Sequence, residues 1–340
     1  MPAIALSALD LSPLAEGESA TSALHATAEL AGHVESLGYA RFWVAEHHNA
    51  GALACPSPEL VASFVLSRTS TIRVGSGGVM LPNHAPLRVA EAFRVLSAMF
   101  PGRVDLGIGR APGTDKRTAK KLRRAPEEDF PAMLEELLGY LGDATTRREP
   151  FATSVVAAPL GVPAPPTWLL GTSVESAELS GRMGLGYAFA QHFSPLGAVE
   201  ALTAYRRAFT PSPRLAAPHA ILAVACGASD DPQTAEDLVA LARLGALRMA
   251  RGERDLPSPS VATARTTELD DEARAIVAPY AERAFVGRTR DVVSGLARLV
   301  ETTSPDELMI TTTSAPTHLR RDTYTVLARE LSTRKAHSSR

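Results

Sequence analysis

Cysteine is scarce in this chain: only Cys55 and Cys226 occur in 340 residues. They lie far apart and outside any metal-type spacing, which excludes a disulfide framework and a cysteine-rich metal centre. Both are expected to be reduced, structural residues. An excess of one charge is also missing. Lys and Arg total 35 against 37 Asp and Glu, a formal net charge of -2. With the two signs interspersed, there is no electrostatic footprint for nucleic acid or an anionic membrane. No apolar run is long enough to span a bilayer. Met1-Pro2 leads straight into Ile4-Ala5-Leu6-Ser7-Ala8-Leu9, with no basic stretch or cleavage site. A cytoplasmic protein with no nucleic-acid or membrane partner is expected. Hydrophobic residues at 45% and charged residues at 21% belong to an ordinary globular domain and argue against disorder.

Short apolar segments alternate with amphipathic ones from the start. Strands are expected over Ile4 to Leu11, Phe42 to Ala45, Ile72 to Met80 and Arg103 to Gly109. The helices between them fall at Ser19 to Leu37, Pro58 to Arg68 and Leu87 to Phe100, with Pro126 to Leu141 following. Val89, Phe93, Leu96 and Phe100 form a stripe suited to packing on a sheet. Asp115 to Arg124 reads as a surface loop or a short exposed helix. After the Pro-rich segment Pro159 to Pro166 come Thr167 to Leu170 with Ser176 to Met183, then Leu185 to Ala190 with Leu196 to Phe209. Ala220 to Cys226 with Thr234 to Met249, and Glu307 to Thr312 with a helix from about Thr317 to Leu331, complete the series. Eight strand and helix pairs in strict order predict an α/β fold. It is a single (β/α)8 TIM barrel over 1–332, because right-handed crossovers close at that number. Arg251 to Arg274 is polar and weakly periodic, and is expected as a lid-like loop after strand seven. The tail 333–340 is expected to be disordered.

Active sites of such barrels sit at the carboxyl ends of the strands, and the chemistry-bearing residues collect there. Strand two opens into Glu46-His47-His48, and imidazole suits proton transfer near neutral pH. Either histidine also suits simple loop capping. A His-His metal pair is not expected, since adjacent residues on an extended segment point apart and no other ligands cluster nearby. Strand three ends in Gly75-Ser76-Gly77-Gly78 and strand four in Gly107-Ile108-Gly109-Arg110. Bare backbone there leaves room for something flat and large, although glycine in a strand also marks bulges or close packing. Gly171-Thr172-Ser173-Val174-Glu175-Ser176 places hydroxyls and free amides at a helix start. These suit a phosphate, with Arg110 supplying counter-charge, and equally suit an ordinary helix cap.

In this setting WVAEHHN, GSGGVMLPNHAPLRVAE, FPGRVDLGIGRAPGTD and LLGTSVESAELSGRMGLGYAFAQHFSP, in that order and spacing, resemble the bacterial luciferase-like family of flavin-dependent monooxygenases. The likeness runs from the first strand to the last helix. It implies reduced FMN at the carboxyl face, reacting with O2 through a C4a-hydroperoxyflavin to oxygenate a small aldehyde-like or other apolar compound. By position, His47 matches the catalytic histidine, and Gly77-Gly78, next to Ser76, a non-prolyl cis peptide against the isoalloxazine. Arg110, Thr172, Ser173 and Ser176 match the phosphate site, and Ala190 with Gln191 the strand-six segment bordering the ring. A dry pocket of Leu9, Phe42, Met80, Phe189 and Phe193 is expected, each residue being equally suited to core packing. The resemblance further implies a separate flavin reductase and a homodimer through the second and third helices.

The chain departs from the light-emitting members. Gly109 replaces a reactive cysteine, and Thr172 an acid beside the phosphate site. Two alternatives stand beside the FMN reading. One is a deazaflavin F420-dependent hydride-transfer oxidoreductase on the same barrel. The other is a non-catalytic flavin-binding or partner subunit, against which the retention of His47, Arg110 and GTSVES argues.

Overall fold

The computed structural model describes residues 4–122, 124–142, 155–194, 196–253, 255–281, 284–312 and 316–331. The expected tail 333–340 lies outside them. Among the described residues there are nine parallel strands. They are β1 (Ala5–Asp10), β2 (Arg41–Val44), β3 (Arg73–Met80), β4 (Val104–Gly109), β5 (Thr167–Gly171), β6 (Gly186–Ala190), β7 (Ala220–Ser229), β8 (Ala284–Arg288) and β9 (Glu307–Thr311). Seven pair in sequence from β1 to β7, and β9 closes the ring between β7 and β1. The result is the expected eight-stranded barrel. β8 lies outside the ring and extends the carboxyl half of β7, with Ala225 opposite Ala284 and Ser229 opposite Arg288.

The helices are α1 (Ala20–Ser36), α2 (Pro58–Arg68), α3 (Pro86–Met99), α4 (Lys116–Lys121), α5 (Phe130–Leu141), α6 (Val174–Arg182), α7 (Ala198–Ala208), α8 (Pro232–Ala250), α9 (Val261–Thr266), α10 (Asp271–Ala281), α11 (Thr289–Thr303) and α12 (Thr317–Leu331). Their starts follow local chemistry. Ser19 and Ser22 form a reciprocal cap on α1, Asp231 caps α8 ahead of Pro232, and Pro58 and Pro86 open α2 and α3, where the missing N–H costs nothing.

Two elements differ from the sequence expectation. The lid-like loop contains α9 and the start of α10. Ala264, Ala273 and Val277 pack with Leu238, Leu241, Leu244 and Leu247 of α8 in a small separate core. Segment 255–263 is also tied to the barrel mouth. Glu16 accepts from the Ser260 amide (3.1 Å) and the Thr263 hydroxyl (2.8 Å), and Asp255 accepts from the Gly51 amide (3.0 Å). The second difference is the pair β8 and α11, which the sequence pattern did not reveal. Its strand is only half-buried, so its apolar signal is short and weak.

Strand alternation sorts residues between the barrel interior and the helix layer. Phe42 and Phe189 fall on the outer side, in the main core, whereas Trp43 and Ala188 face inward. The expected placing of Phe42 and Phe189 in the pocket wall is therefore off by one residue. Phe193 is exposed. Inside, the barrel is layered. At the amino end Arg41 bridges Asp105 (2.8 Å) and Glu307 (2.7 Å). Arg73 also meets Asp105 (2.7 Å), Ser7 donates to Glu307, and His219 lies 3.3 Å from Glu307. Burial alone raises Glu307, but His219, Arg41 and Ser7 outweigh it and hold the carboxyl below its ordinary value. Above this lie Trp43 and Trp168, in edge contact at 5.7 Å, with the Arg41 guanidinium 4.6 Å from the Trp168 ring.

Replacing Arg41 with Ala leaves two buried carboxylates without their shared cation. Urea unfolding is expected to show a loss of about 3–5 kcal/mol, and a loss of less than about 1 kcal/mol, the scale of an exposed pair, would mean that the network is solvated.

Candidate active site

Toward the carboxyl end the interior residues become small. Continuing each strand's alternation past the tryptophan layer gives Ala45, Gly77, Gly109, Ala190, Ala223 and Ala225, flanked by Leu11 and Leu170. A Cβ on Gly77 would stand 2.8 Å from Leu9 Cδ1 and 3.0 Å from Trp43 Cβ, so this backbone already lies directly on the tryptophan layer. The Gly77-Gly78 peptide is cis. Large side chains thus fill the lower barrel, and a shallow floor of small residues remains at the mouth, with the Met80 side chain packed against Gly109 (a Cβ there would stand 2.9 Å from Met80 Sδ).

Three of the residues singled out in the sequence play parts set by the local packing. Ser76 is buried, and its hydroxyl donates to the Gly107 carbonyl (2.8 Å) and accepts from the Gly107 amide (3.1 Å). It clamps β3 to β4 at the register shift after Ser76, which leaves only its backbone to face a ligand. Gly78 and Gly107 are also spacing residues, since a Cβ on Gly78 would meet the Gly107 carbonyl at 2.9 Å and one on Gly107 the Ser76 carbonyl at 2.1 Å. Ala190 and Gln191 close β6 at the rim, with Ala190 half-buried and Gln191 buried.

On the rim, α6 begins directly after β5. Ser173 accepts from the Ser176 amide (3.3 Å), and Ser176 Oγ donates to the Ser173 carbonyl (2.8 Å) and lies 3.0 Å from the buried Tyr187 hydroxyl. Thr172 and Arg110 are exposed beside this helix end. The end already attracts an anion. Glu175 is held below its ordinary value first by its own backbone N–H, then by the Ser173 hydroxyl, with the Arg110 charge adding to them. The structure therefore brings Arg110, Thr172, Ser173 and Ser176 to one helix N-terminus, and the Glu175 carboxylate lies in the same first turn.

His47 lies on the neighbouring side of the mouth. Its amide donates to the Cys55 carbonyl (3.0 Å), the next amide, of His48, donates to Gly113 (3.0 Å), and the Glu46 amide donates to Gly78 (3.4 Å). His47 and the Gly77-Gly78 backbone thus share one rim. Sequence reasoning named Glu46 at the end of strand two without giving it a role, and missed His84. Glu46 is fully buried and accepts from the Met80 amide (2.9 Å), Asn83 Nδ2 (3.0 Å), His48 Nε2 (2.8 Å) and His84 Nε2 (3.0 Å). Burial alone raises Glu46, yet His84, Asn83 and the Met80 amide hold it below its ordinary value. His84 rises in return, the pull of Glu46 exceeding the effect of burial. Glu46, His48 and His84 bring possible metal-ligand atoms within 4.8 Å of one another. This corrects the expectation that nothing clusters near the histidine pair. The partner is His84, from the loop after β3, 37 positions beyond His47 in sequence.

The luciferase-like monooxygenase family model matches residues 6–307. The chain is 38% identical over 310 residues to the luciferase-like monooxygenase of Escherichia coli strain K12, covering 90% of this chain and 91% of that protein. Among solved structures, apo-MsnO8 superposes with a TM-score of 0.87 at 34% identity, covering 98% and 99% of the two chains. Two distant structures share the fold alone. One is the oxygenating constituent of 3,6-diketocamphane monooxygenase from Pseudomonas putida in complex with FMN (TM-score 0.68, 16% identity, 97% and 98% covered). The other is an F420-dependent secondary alcohol dehydrogenase (TM-score 0.66, 14% identity, 96% and 98% covered).

The helix end depends on a bare Gly171, because a Cβ there would stand 2.1 Å from Ser176 Oγ and 2.7 Å from Ser176 Cβ. Gly171→Ala must displace Ser176 from the cap. A stability loss of about 1–3 kcal/mol is expected on thermal unfolding, and an unchanged melting temperature would show that Ser176 moves aside freely.

Proposed function

The chain belongs to the luciferase-like monooxygenase family, and on that premise we propose that it is an FMN-dependent monooxygenase. It takes reduced FMN from a separate flavin reductase and uses O2 to oxygenate a small apolar, aldehyde-like organic substrate. The observation that carries the reading is the pairing of a mouth floored by Ala45, Gly77, Gly109 and Ala190 with an anion-attracting helix end on the same rim. A planar ring with a phosphate tail fits both. Bound reduced FMN supplies the activation of O2, the part of the reaction that no side chain can perform.

The chain's own residues would then bind and shield. Arg110, Thr172, Ser173 and Ser176 hold the phosphate, displacing the Glu175 carboxylate from the α6 end. The Gly77-Gly78 backbone, Ser76 through its main chain, Ala190 and Gln191 border the ring. Leu9, Leu11, Leu170 and Met309 give the mouth apolar walls that exclude water. His47 handles the proton, an imidazole being able to give or take one near neutral pH. A deazaflavin would use the same floor, and the fold alone favours neither cofactor.

Anaerobic titration with reduced FMN, followed by admission of 18O-labelled O2 and a medium-chain alkanal, tests the reading. Binding of reduced FMN and label in the organic product are expected. Hydride transfer from a reduced deazaflavin without label would assign the chain to the other branch. Arg110→Ala should weaken FMN about tenfold or more, the scale of a charged hydrogen bond of about 1.5–3 kcal/mol, and leave riboflavin nearly unaffected. Equal losses for both would move the phosphate elsewhere.

The same reading includes a homodimer. Leu60 of α2 and Val95 and Met99 of α3 are 68%, 46% and 57% exposed, an apolar face on the two helices expected to pair. A second copy of this chain is its occupant. Sedimentation is expected to give a dimer that Leu60→Glu with Met99→Glu converts to monomer, whereas a monomeric wild type would remove this part of the proposal.

A further inference from the structure

We propose that Glu46 is a positioning residue for His47: gripped by His48, Asn83, His84 and the Met80 amide, its buried carboxylate fixes the chain on both sides of that imidazole at the barrel mouth. The role in turnover rests on the FMN reading above; the geometry does not.

Glu46 and His48 flank His47 directly, and each is held at both backbone and side chain. The Glu46 amide is bound to Gly78 and its carboxylate to Met80, Asn83, His48 and His84. The His48 amide is bound to Gly113, its carbonyl accepts from Thr114 Oγ1 (2.8 Å), and its ring meets Glu46 at 2.8 Å. The carboxylate thereby joins the end of β2 to the end of β3 and to the turn at Leu81–Asn83. Four donors fill the four acceptor directions that a carboxylate offers. That set of partners argues for a hydrogen-bond hub over a cation site. The Met80 N–H and the Asn83 amide point their hydrogens at the same two oxygens, and a metal ion would have to expel them.

The hub also sets a pH range. Glu46 lies below its ordinary value of 4.5, so its stabilising contribution is present above that value and is lost as pH falls through the lowered one. His84 lies above its ordinary 6.5, so its contribution is complete below 6.5 and is lost as pH rises through the raised value. The pair is fully formed between those two ordinary values and weakens on the alkaline side as His84 deprotonates. The charged and titratable groups facing the hub are His48, Glu59, which adds to the rise of His84, and Cys55, whose thiol Glu46 helps push up. Arg124 approaches Asn83 Oδ1 at 3.5 Å from the other side.

The test uses the full chain in two arms. In the first, without flavin, NMR follows the histidine ring resonances across pH in wild type and Glu46→Gln, with His47→Ala, His48→Gln and His84→Gln spectra giving assignments. Glu46→Gln is expected to lower the pH at which His84 titrates and to move the His47 ring signals while the circular dichroism stays native. His47 signals that stay in place while those of His48 and His84 move would overturn the proposal. Should Glu46→Gln not fold, His84→Gln, which keeps a donor toward the carboxylate, is expected to move the His47 signals in the same way, and unmoved signals count against it equally. Zinc chloride that binds stoichiometrically and perturbs the His48 and His84 rings together would make this a metal site and also overturn it.

The second arm follows oxidation of bound reduced FMN on admission of air with an alkanal. Glu46→Gln is expected to reduce product formation roughly tenfold to a hundredfold, the cost of a misplaced group, and to add nothing to His47→Ala in the double variant. Multiplying effects would mean that Glu46 acts apart from His47. A wild type that binds no reduced FMN would remove the FMN reading and leave the ring resonances to decide the positioning role.

Discussion

A closed ring of eight parallel strands encloses a fixed cross-section, and every strand must contribute inward residues whose combined bulk fits it. The chain divides that space unequally along the barrel axis. Arg41, Asp105, Glu307 and His219 seal the amino end as an ionic plug, and Trp43 and Trp168 fill the next level. Above them β3 and β6 present Gly77 and Ala190, with Ala45 just beyond β2, and Gly109 of β4 is packed against the Met80 side chain that ends β3. The floor at the carboxyl end exists because the bulk was placed below it. A bulky residue at any of these positions would close the mouth.

The rim around that floor consists of groups whose freedom has already been removed. On one side Ser173 and Ser176 fix the start of α6, and an acid of the chain already sits at the helix end. On the other side Glu46 gathers donors from two loops, so the histidine beside it is carried on backbone held at either flank. Over the top, Glu16 and Asp255 hold segment 255–263 against the first and second strand-to-helix loops. On the proposed reading, binding, shielding and proton handling would fall to separate pieces of one rim, with the entropic cost of arranging them met during folding.

The barrel and its rim were legible in the sequence because both are written in local patterns: apolar runs between capped helices, and glycine or histidine at strand ends. Other features escaped for physical reasons. A slip of one residue reverses the facing of a strand, which is why Phe42 was expected where Trp43 lies. β8 is half-buried and carries little apolar signal, and α9 and α10 bury only small residues against α8. The Glu46 hub is formed by residues 38 positions apart brought together by the pairing of β2 with β3. No window of sequence displays such a contact, although an acid placed immediately before a histidine pair and buried at a strand end is a signal worth pursuing. Ser76 shows the reverse case, a hydroxyl in a ligand-like motif that spends itself on the Gly107 backbone.

Crystals grown anaerobically with reduced FMN offer the most direct measurement of the central claim. The account predicts electron density for the ring on the floor made by Ala45, Gly77, Gly109 and Ala190, with the phosphate at the start of α6 and the Glu175 carboxylate moved away. Flavin bound elsewhere on the surface, or a mouth that stays closed by protein side chains at saturating FMN, would contradict it.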